Sequence, residues 1–231
     1  MNKHTHISNI QILYEDNHLI AVNKRCGDLV QGDQTGDEPL SEIVKEYIKN
    51  KYHKPGNVYL GVIHRLDRPT SGVVVFARTS KALSRMNALF KERNTQKTYW
   101  AIVKNTPPNK KGQLTHWLKR DAKKNMSFAY DEVKKETKKA ILDYEVIKQS
   151  DNYHLIEVNL QTGRHHQIRV QLAKIGCPIK GDLKYGFSRS NTNGGIDLHA
   201  RSLSFQHPVK NEPVAIIAPA PKDPLWDYFS P

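Results

Sequence analysis

His64-Arg65-Leu66-Asp67-Arg68-Pro69-Thr70-Ser71-Gly72 sets one carboxylate between two guanidinium groups and follows it with a turn. Apolar runs lie on both sides, over residues 58–63 and 73–77. Short Val-rich runs bounded by turn residues predict strands. Asp67 is therefore expected where a strand breaks, not in a generic solvated loop. Neighbouring cations favour an ionised carboxylate, and an isolated Asp is already ionised at neutral pH. The setting suits a nucleophile or an electrostatic anchor and does not suit a general acid. The competing reading is a turn-capping Asp that pairs only with Arg65 or Arg68.

Outward from this stretch, strands outnumber helices. Residues 10–23 predict two short strands around the acidic turn Glu15-Asp16-Asn17. Leu40, Ile43, Val44, Tyr47 and Ile48 recur at helical spacing. A second helix is expected from a Thr79 or Ser80 cap through Arg93, with Leu83, Met86, Leu89 and Phe90 as its apolar stripe. Thr98-Tyr99-Trp100-Ala101-Ile102-Val103 predicts a strand, residues 105–112 a loop, and 114–118 a strand of period two. Residues 121–139, dense in Lys, predict a mobile or solvent-facing segment and a possible RNA contact. Residues 140–147 and 153–160 predict a strand pair. Thr162-Gly163 then turns into a helix from Arg164 to about Ile175, stopped by Gly176 with Pro178 beyond. Final strands are expected over 196–205 and 214–218. The sum is an α+β fold: a large mixed, mostly antiparallel sheet flanked by helices. No composition break marks a linker, so residues 1–9 are expected to be a tail and 10–231 one domain.

The 231 residues carry 36 Lys and Arg against 23 Asp and Glu, a formal charge of +13. Such an excess points to a polyanionic partner. No apolar run approaches a bilayer-spanning length, and no long basic amphipathic helix suits a membrane surface. The polar N-terminus lacks the apolar core of a signal peptide. Cys26 and Cys177 are far apart and form no Cys-x-x-Cys pair. A disulfide scaffold or thiolate zinc site is not expected, and a reducing cytoplasm fits. His165 and His166 are adjacent and share no helix face, so no metal is expected there.

Three distant segments hold the unusual residues: the Asp67 turn, the Tyr99 strand, and Thr162-Gly163-Arg164-His165-His166-Gln167-Ile168-Arg169 running on to Gly181-Asp182 and Lys184-Tyr185-Gly186. Ile168, Leu172 and Ile175 are expected to face inward, with Arg169 at the border of that face. A guanidinium there would need a carboxylate partner, and Asp67 is one whose pairing would explain both residues.

Taken with residues 12–16, 19–24 and Leu198-His199-Ala200-Arg201, these motifs, in this order, resemble the RluA-type pseudouridine synthases. The match runs over nearly the whole chain from about Ile10, which is far more specific than a single short motif. The resemblance implies isomerisation of uridine in structured RNA, ribosomal or transfer, without a cofactor or metal. It implies Asp67 as the essential carboxylate, attacking the ribose C1′, attacking the uracil ring, or assisting loss of the C2′ proton. Tyr99 would pack on the target base and help remove the C5 proton, and Arg169 would hold Asp67 ionised and oriented. Arg65 resembles an arginine that fills the space vacated by an everted uridine. Arg68, Arg164 and His166 are expected to bind substrate. Turning a nucleotide out costs roughly a few kcal/mol, which backbone contacts of a basic surface offset.

The sequence departs from the family pattern at Arg25, where Pro is usual, and at His165, where Thr or Lys is common. Many relatives carry an N-terminal S4-type domain that is not found here, so recognition is expected to rest on the catalytic domain, acting as a monomer. Two other classes compete. A non-catalytic RNA-binding protein would need the charge but not Asp67, Tyr99 and Arg169 together. A nucleoside or glycoside hydrolase would need a second carboxylate, for which Asp121, Asp143 and Asp182 are candidates.

Overall fold

The computed structural model describes residues 4–230, so the first three residues of the expected tail lie outside the described residues. The chain divides into two compact units. One holds the residues up to Gln96 together with Ala200–Pro221; the other holds Lys97–His199 and the residues from Lys222 onward. The fold is α+β, and every strand ladder described is antiparallel.

The first unit is built on β1 (Ile12–Glu15), β2 (Leu19–Lys24), β3 (Gly61–Val62) and β4 (Ser71–Ala77). It is completed by β10 (Leu198–Gln206), which enters from the other unit's sequence, and by β11 (Pro213–Ile217). Their order is β1-β2-β4-β10, with β3 on β4 and β11 on β10. β2 and β4 have no polar face because both of their faces are covered, which makes a strand a continuous apolar run. Leu19, Ala21, Val73, Val75 and Ala77 point into a core shared with Ala82 and Met86 of α2 (Ser80–Glu92). Ile20, Val22, Val74 and Phe76 point the other way, into a core shared with Leu40, Val44 and Ile48 of α1 (Leu40–Lys51). Each such side chain contributes roughly 1.5–3 kcal/mol on burial. The hydroxyl of Thr79 accepts from the Ala82 N–H and caps α2, and Arg93 closes it in the left-handed region.

The second unit has the strand order β5 (Thr95–Val103), β9 (His154–Leu160), β8 (Lys138–Gln149), β6 (Lys111–Asp121), β7 (Met126–Tyr130). The expected Ile168–Leu172–Ile175 face of α3 (Gln167–Lys174) packs against Ala101, Val103, Leu142, Ile156 and Val158. A buried amide fixes the helix further. The Gln171 side chain donates towards the Leu114 and Ala140 carbonyls and towards His116 Nδ1. α4 (Pro224–Phe229) closes the described chain, capped by Asp223.

Two expectations are corrected, and two elements were not anticipated. The Lys-rich segment 121–139 faces solvent over most of its length, one of the two readings expected of it, and it also carries β7 and the start of β8, which were not foreseen. Of 58–64 only Gly61 and Val62 pair as strand, while Val58 and Leu60 pack against the core on the α1 side. α3 begins at Gln167 rather than Arg164, because His166 takes a left-handed φ of 53° that a helix cannot include. α4 was not anticipated.

Candidate active site

The Asp67 turn is fixed from both ends within the first unit. Before it, His64 Nε2 accepts from the Val75 N–H at 3.0 Å, and its ring stacks on Phe90 at 5.1 Å. After it, the Thr70 N–H donates to the Asp67 carbonyl. Below it sits Lys24, 1% exposed, whose ammonium donates to the carbonyls of Arg25 (3.0 Å), Arg68 (3.0 Å) and Thr70 (2.7 Å). Burial pushes the Lys24 ammonium down to about 8, against the opposing pull of Asp28, Cys26 and Asp67. Three carbonyls thus converge on one cation, and the backbone around Asp67 is tied to β2.

The three predicted residues of this turn differ in setting. Asp67 is half-buried, while Arg65 and Arg68 are exposed. Arg68 turns its guanidinium to Asp37 at 2.6 Å and to the Gly27 carbonyl at 3.0 Å. It therefore links two loops.

In the second unit the motif 162–169 folds around its own polar side chains. Thr162 Oγ1 accepts from the Ile141 N–H and donates to Gln167 Oε1, which also accepts from the Arg164 N–H. The Gln167 amide donates to the Ile141 carbonyl. This bracket ties the turn before α3 to β8. Arg164, half-buried, donates from Nε to the Lys139 carbonyl. His166 is buried, with Nδ1 2.8 Å from the Tyr185 hydroxyl.

Arg169 is 5% exposed, so it lies well inside the expected border. Asp182 takes its Nε at 2.7 Å and its Nη2 at 2.9 Å. The Tyr185 ring lies 5.1 Å from its guanidinium carbon. Two-point binding by a buried carboxylate fixes the plane of the guanidinium as well as its position. Tyr99 sits on β5 opposite Val158, half-buried against the unit's core. Lys97, two residues earlier on the same strand face, has its amine pushed down by burial.

The α3 end thus brings Arg164, His166 and Arg169 into one locality, and the turn after β3 holds Arg65, Asp67 and Arg68. Sequence reasoning left Lys24 and Tyr185 without a role, and weighed Asp182 only as a second carboxylate for a hydrolase. A buried guanidinium demands a carboxylate, and Asp182 and Tyr185 stood in the quoted motifs, whereas nothing local marked Lys24 as buried.

Among the described residues no cluster of His, Cys, Asp and Glu suits a metal. No helix among them is long and apolar enough to cross a membrane.

The family model described as RNA pseudouridylate synthase matches residues 18–174, which include the Asp67 turn, Tyr99 and Arg169. The chain belongs to the RNA pseudouridylate synthase family. A pseudouridine synthase of this family in Haemophilus influenzae, named tRNA pseudouridine synthase C, is 32% identical over 227 residues, spanning 90% of this chain and 92% of the relative. The ribosomal large subunit pseudouridine synthase D of Xylella fastidiosa is 34% identical over 227 residues, with 93% and 67% covered. An uncharacterised RNA pseudouridine synthase of Synechocystis is 33% identical over 215 residues, and this chain spans 66% of its length. Among solved structures, human RNA pseudouridylate synthase domain containing 4 aligns with a TM-score of 0.78 at 23% identity, covering 95% of this chain and 92% of that one. That likeness supports the pseudouridine synthase fold.

Proposed function

We propose that residues 10–231 act as one catalytic domain that isomerises specific uridines in structured ribosomal or transfer RNA, with Asp67 as the essential carboxylate. The observation that carries this reading is the family match across the Asp67 turn, joined to the clamping of that turn by Lys24 and His64. In the reaction the N1–C1′ bond breaks and a C5–C1′ bond forms on the same nucleotide. C5 loses a proton and N1 ends protonated. The exchange is redox-neutral and needs no external group, so no cofactor is assigned.

Tyr99 serves at the target base and Arg169 at the reacting carboxylate. Arg65 and Arg164 bind the nucleotide and its phosphates. Arg68 exchanges its exposed Asp37 partner for phosphate, which exposed ion pairs permit at small cost. His166 provides a hydrogen-bond donor to substrate. The formal charge of +13 suits the RNA backbone, and we assign a cytoplasmic monomer. The hydrolase reading loses one candidate: Asp182 has both oxygens on Arg169 and stands buried away from water.

The test is transcriptome-wide pseudouridine mapping with and without the gene, followed by complementation with Asp67→Asn. One or a few sites are expected to disappear in the deletion, to return with the wild-type chain and to stay absent with the variant. Unchanged modification at every site in the deletion refutes the function, and restoration by Asp67→Asn refutes the site. Release of free uracil, in place of RNA of unchanged mass, would establish the hydrolase.

A further inference from the structure

At the β7 end of the second unit's sheet, one face interleaves aromatic rings with cations. Residues paired across antiparallel strands share a face. Phe128 of β7 stands opposite Lys119 of β6, Tyr130 opposite Trp117, and Trp117 in turn opposite Lys139 of β8. These five side chains therefore project from one side. Leu118, Ala129 and Ala140 project from the other, where they pack with Val170 of α3. Packing on α3 thus accounts for the apolar residues of these strands and for none of the aromatic ones.

The aromatic side is accessible. Phe128 is 38% exposed, Lys139 is exposed, and Trp117 and Tyr130 are half-buried. The Lys134 ammonium lies 4.4 Å from the Tyr130 ring centre, so that ring already receives a cation on its face. Lys119 pairs with Glu136 at 2.7 Å, both of them well exposed. Exposed contacts of these two kinds are weak and yield to a stronger ligand. Residues 119–139 carry eight Lys and Arg against four Asp and Glu. β7 stands at the end of its strand order, with lysines in the turns on either side, and charge of that kind discourages pairing with another chain's strand. A docking face for protein is depleted of charge at its centre, whereas here cations alternate with rings. That alternation matches unpaired nucleotides, in which every base offers a face to stack and every phosphate a charge to meet.

We propose that the β6–β7–β8 face is a stacking platform for unpaired nucleotides of the RNA substrate other than the uridine that reacts. Phe128 stacks on a base, Trp117 and Tyr130 form the floor beside it, and Lys119 and Lys139 meet the flanking phosphates. This rests on the proposed function for the identity of the RNA, and it adds no step to the isomerisation. It gives the Lys-rich segment a selective duty: an RNA with a single-stranded flank binds more tightly than a continuous duplex.

The experiment measures binding of the full chain by fluorescence anisotropy at one salt concentration. One probe is an oligoadenylate of about eight nucleotides, which holds no uridine to convert; the other is an RNA duplex of the same length. Phe128→Ala removes the ring, and Phe128→Leu removes it while keeping apolar bulk on the strand, so that a folding defect in the first is told apart from lost stacking. Both are expected to weaken the single-stranded probe about tenfold, the loss of one stacked base, and to leave the duplex within about twofold. Phe128→Trp is expected to retain wild-type affinity. Lys119→Gln with Lys139→Gln is expected to weaken both probes and to lower the salt slope by roughly two phosphate contacts.

Wild-type affinity for oligoadenylate in both ring-deleting variants overturns the proposal, and so does an equal loss for the duplex, which would leave only a charged surface. Sedimentation velocity supplies the remaining arm: a wild-type dimer that Phe128→Ala turns into monomer would make this face a contact between copies of the chain and overturn the platform. A protein that binds oligoadenylate through Phe128 yet converts no uridine overturns the function and leaves the platform standing.

Discussion

Lys24 lies sealed beneath the Asp67 turn, and its position shows how a charge can be a structural part. Its ammonium is 1% exposed and donates to three carbonyls, two of them from residues flanking Asp67 in sequence. Burial lowers its proton affinity from the ordinary 10.5 to about 8. Between those two values the unfolded chain holds a proton that the folded chain has released. Unfolding is then disfavoured as pH rises, so the Lys24 contribution to stability increases from about pH 8 to about 10.5. Lys24→Met removes that increment and takes a cationic donor away from three carbonyls, of which that of Arg68 keeps the Gly27 N–H. We expect the variant to be less stable at pH 7.5, by on the order of 1–3 kcal/mol, and the gap from wild type to widen at pH 10. Denaturant titrations of both proteins at the two pH values measure it; a gap that narrows with pH would contradict this account. At this scale the sequence disclosed the types of residue but not their partners. Arg169 was legible as a guanidinium in want of a carboxylate, and its spacing on α3 put it near the core. That Asp182 takes two of its nitrogens depends on the path of the loop between α3 and β10, which no local pattern specifies. Lys24 itself is one charged residue at the end of an apolar strand, and charge is normally a sign of exposure.

Among the elements, apolar patterning reported burial faithfully and pairing less well. The runs over β2 and β4 were legible because both faces are buried and the residues are β-branched. Residues 58–64 have the same composition, yet only Gly61 and Val62 find ladder partners, since packing against a core does not require a strand. β7 was missed for the opposite reason. It lies at the end of its unit's strand order, among lysines, with Phe128 exposed and only Ser127 fully buried, so alternation there is weak. The Gly72 that ends the quoted motif has a reason visible only in three dimensions. Its φ is 115°, and a Cβ there would overlap the backbone of Ala200 in β10. Gly72→Ala is expected to destabilise the first unit by roughly 2–4 kcal/mol, from overpacking and backbone strain together. Chemical denaturation reads this directly, and a cost below about 0.5 kcal/mol, the range of neutral surface changes, would show that the two backbones can part.

Across the whole molecule, composition pointed to the functional class, and the strand and helix patterns pointed to the α+β architecture. A formal charge of +13 pointed to a polyanion before any motif was considered, and the family match agrees with RNA as that partner. If phosphate contacts supply most of the affinity, binding to the target RNA should weaken on the order of tenfold or more between about 50 and 200 mM salt. Fluorescence anisotropy across that range tests it, and a flat response would remove the electrostatic basis of recognition. The division into two units was not legible, because the boundary falls between Gln96 and Lys97, inside β5, where composition and strand pattern run on without change.

That division has a consequence for how the chain comes into being. The first unit's core needs Leu203, Phe205, Val214, Ile216 and Ala218 beside residues from β2 and β4. The second unit's largest apolar cluster ends at Leu198, but the unit also takes the buried Trp226 and Phe229 of α4. During synthesis, which proceeds from the N-terminus, the earlier-made half must wait, its Val-rich strands incompletely covered, for more than a hundred further residues to leave the ribosome. Each unit thus closes on late residues, the first on β11 and the second on α4, and nascent chains halted before those elements would be the ones that most need a chaperone.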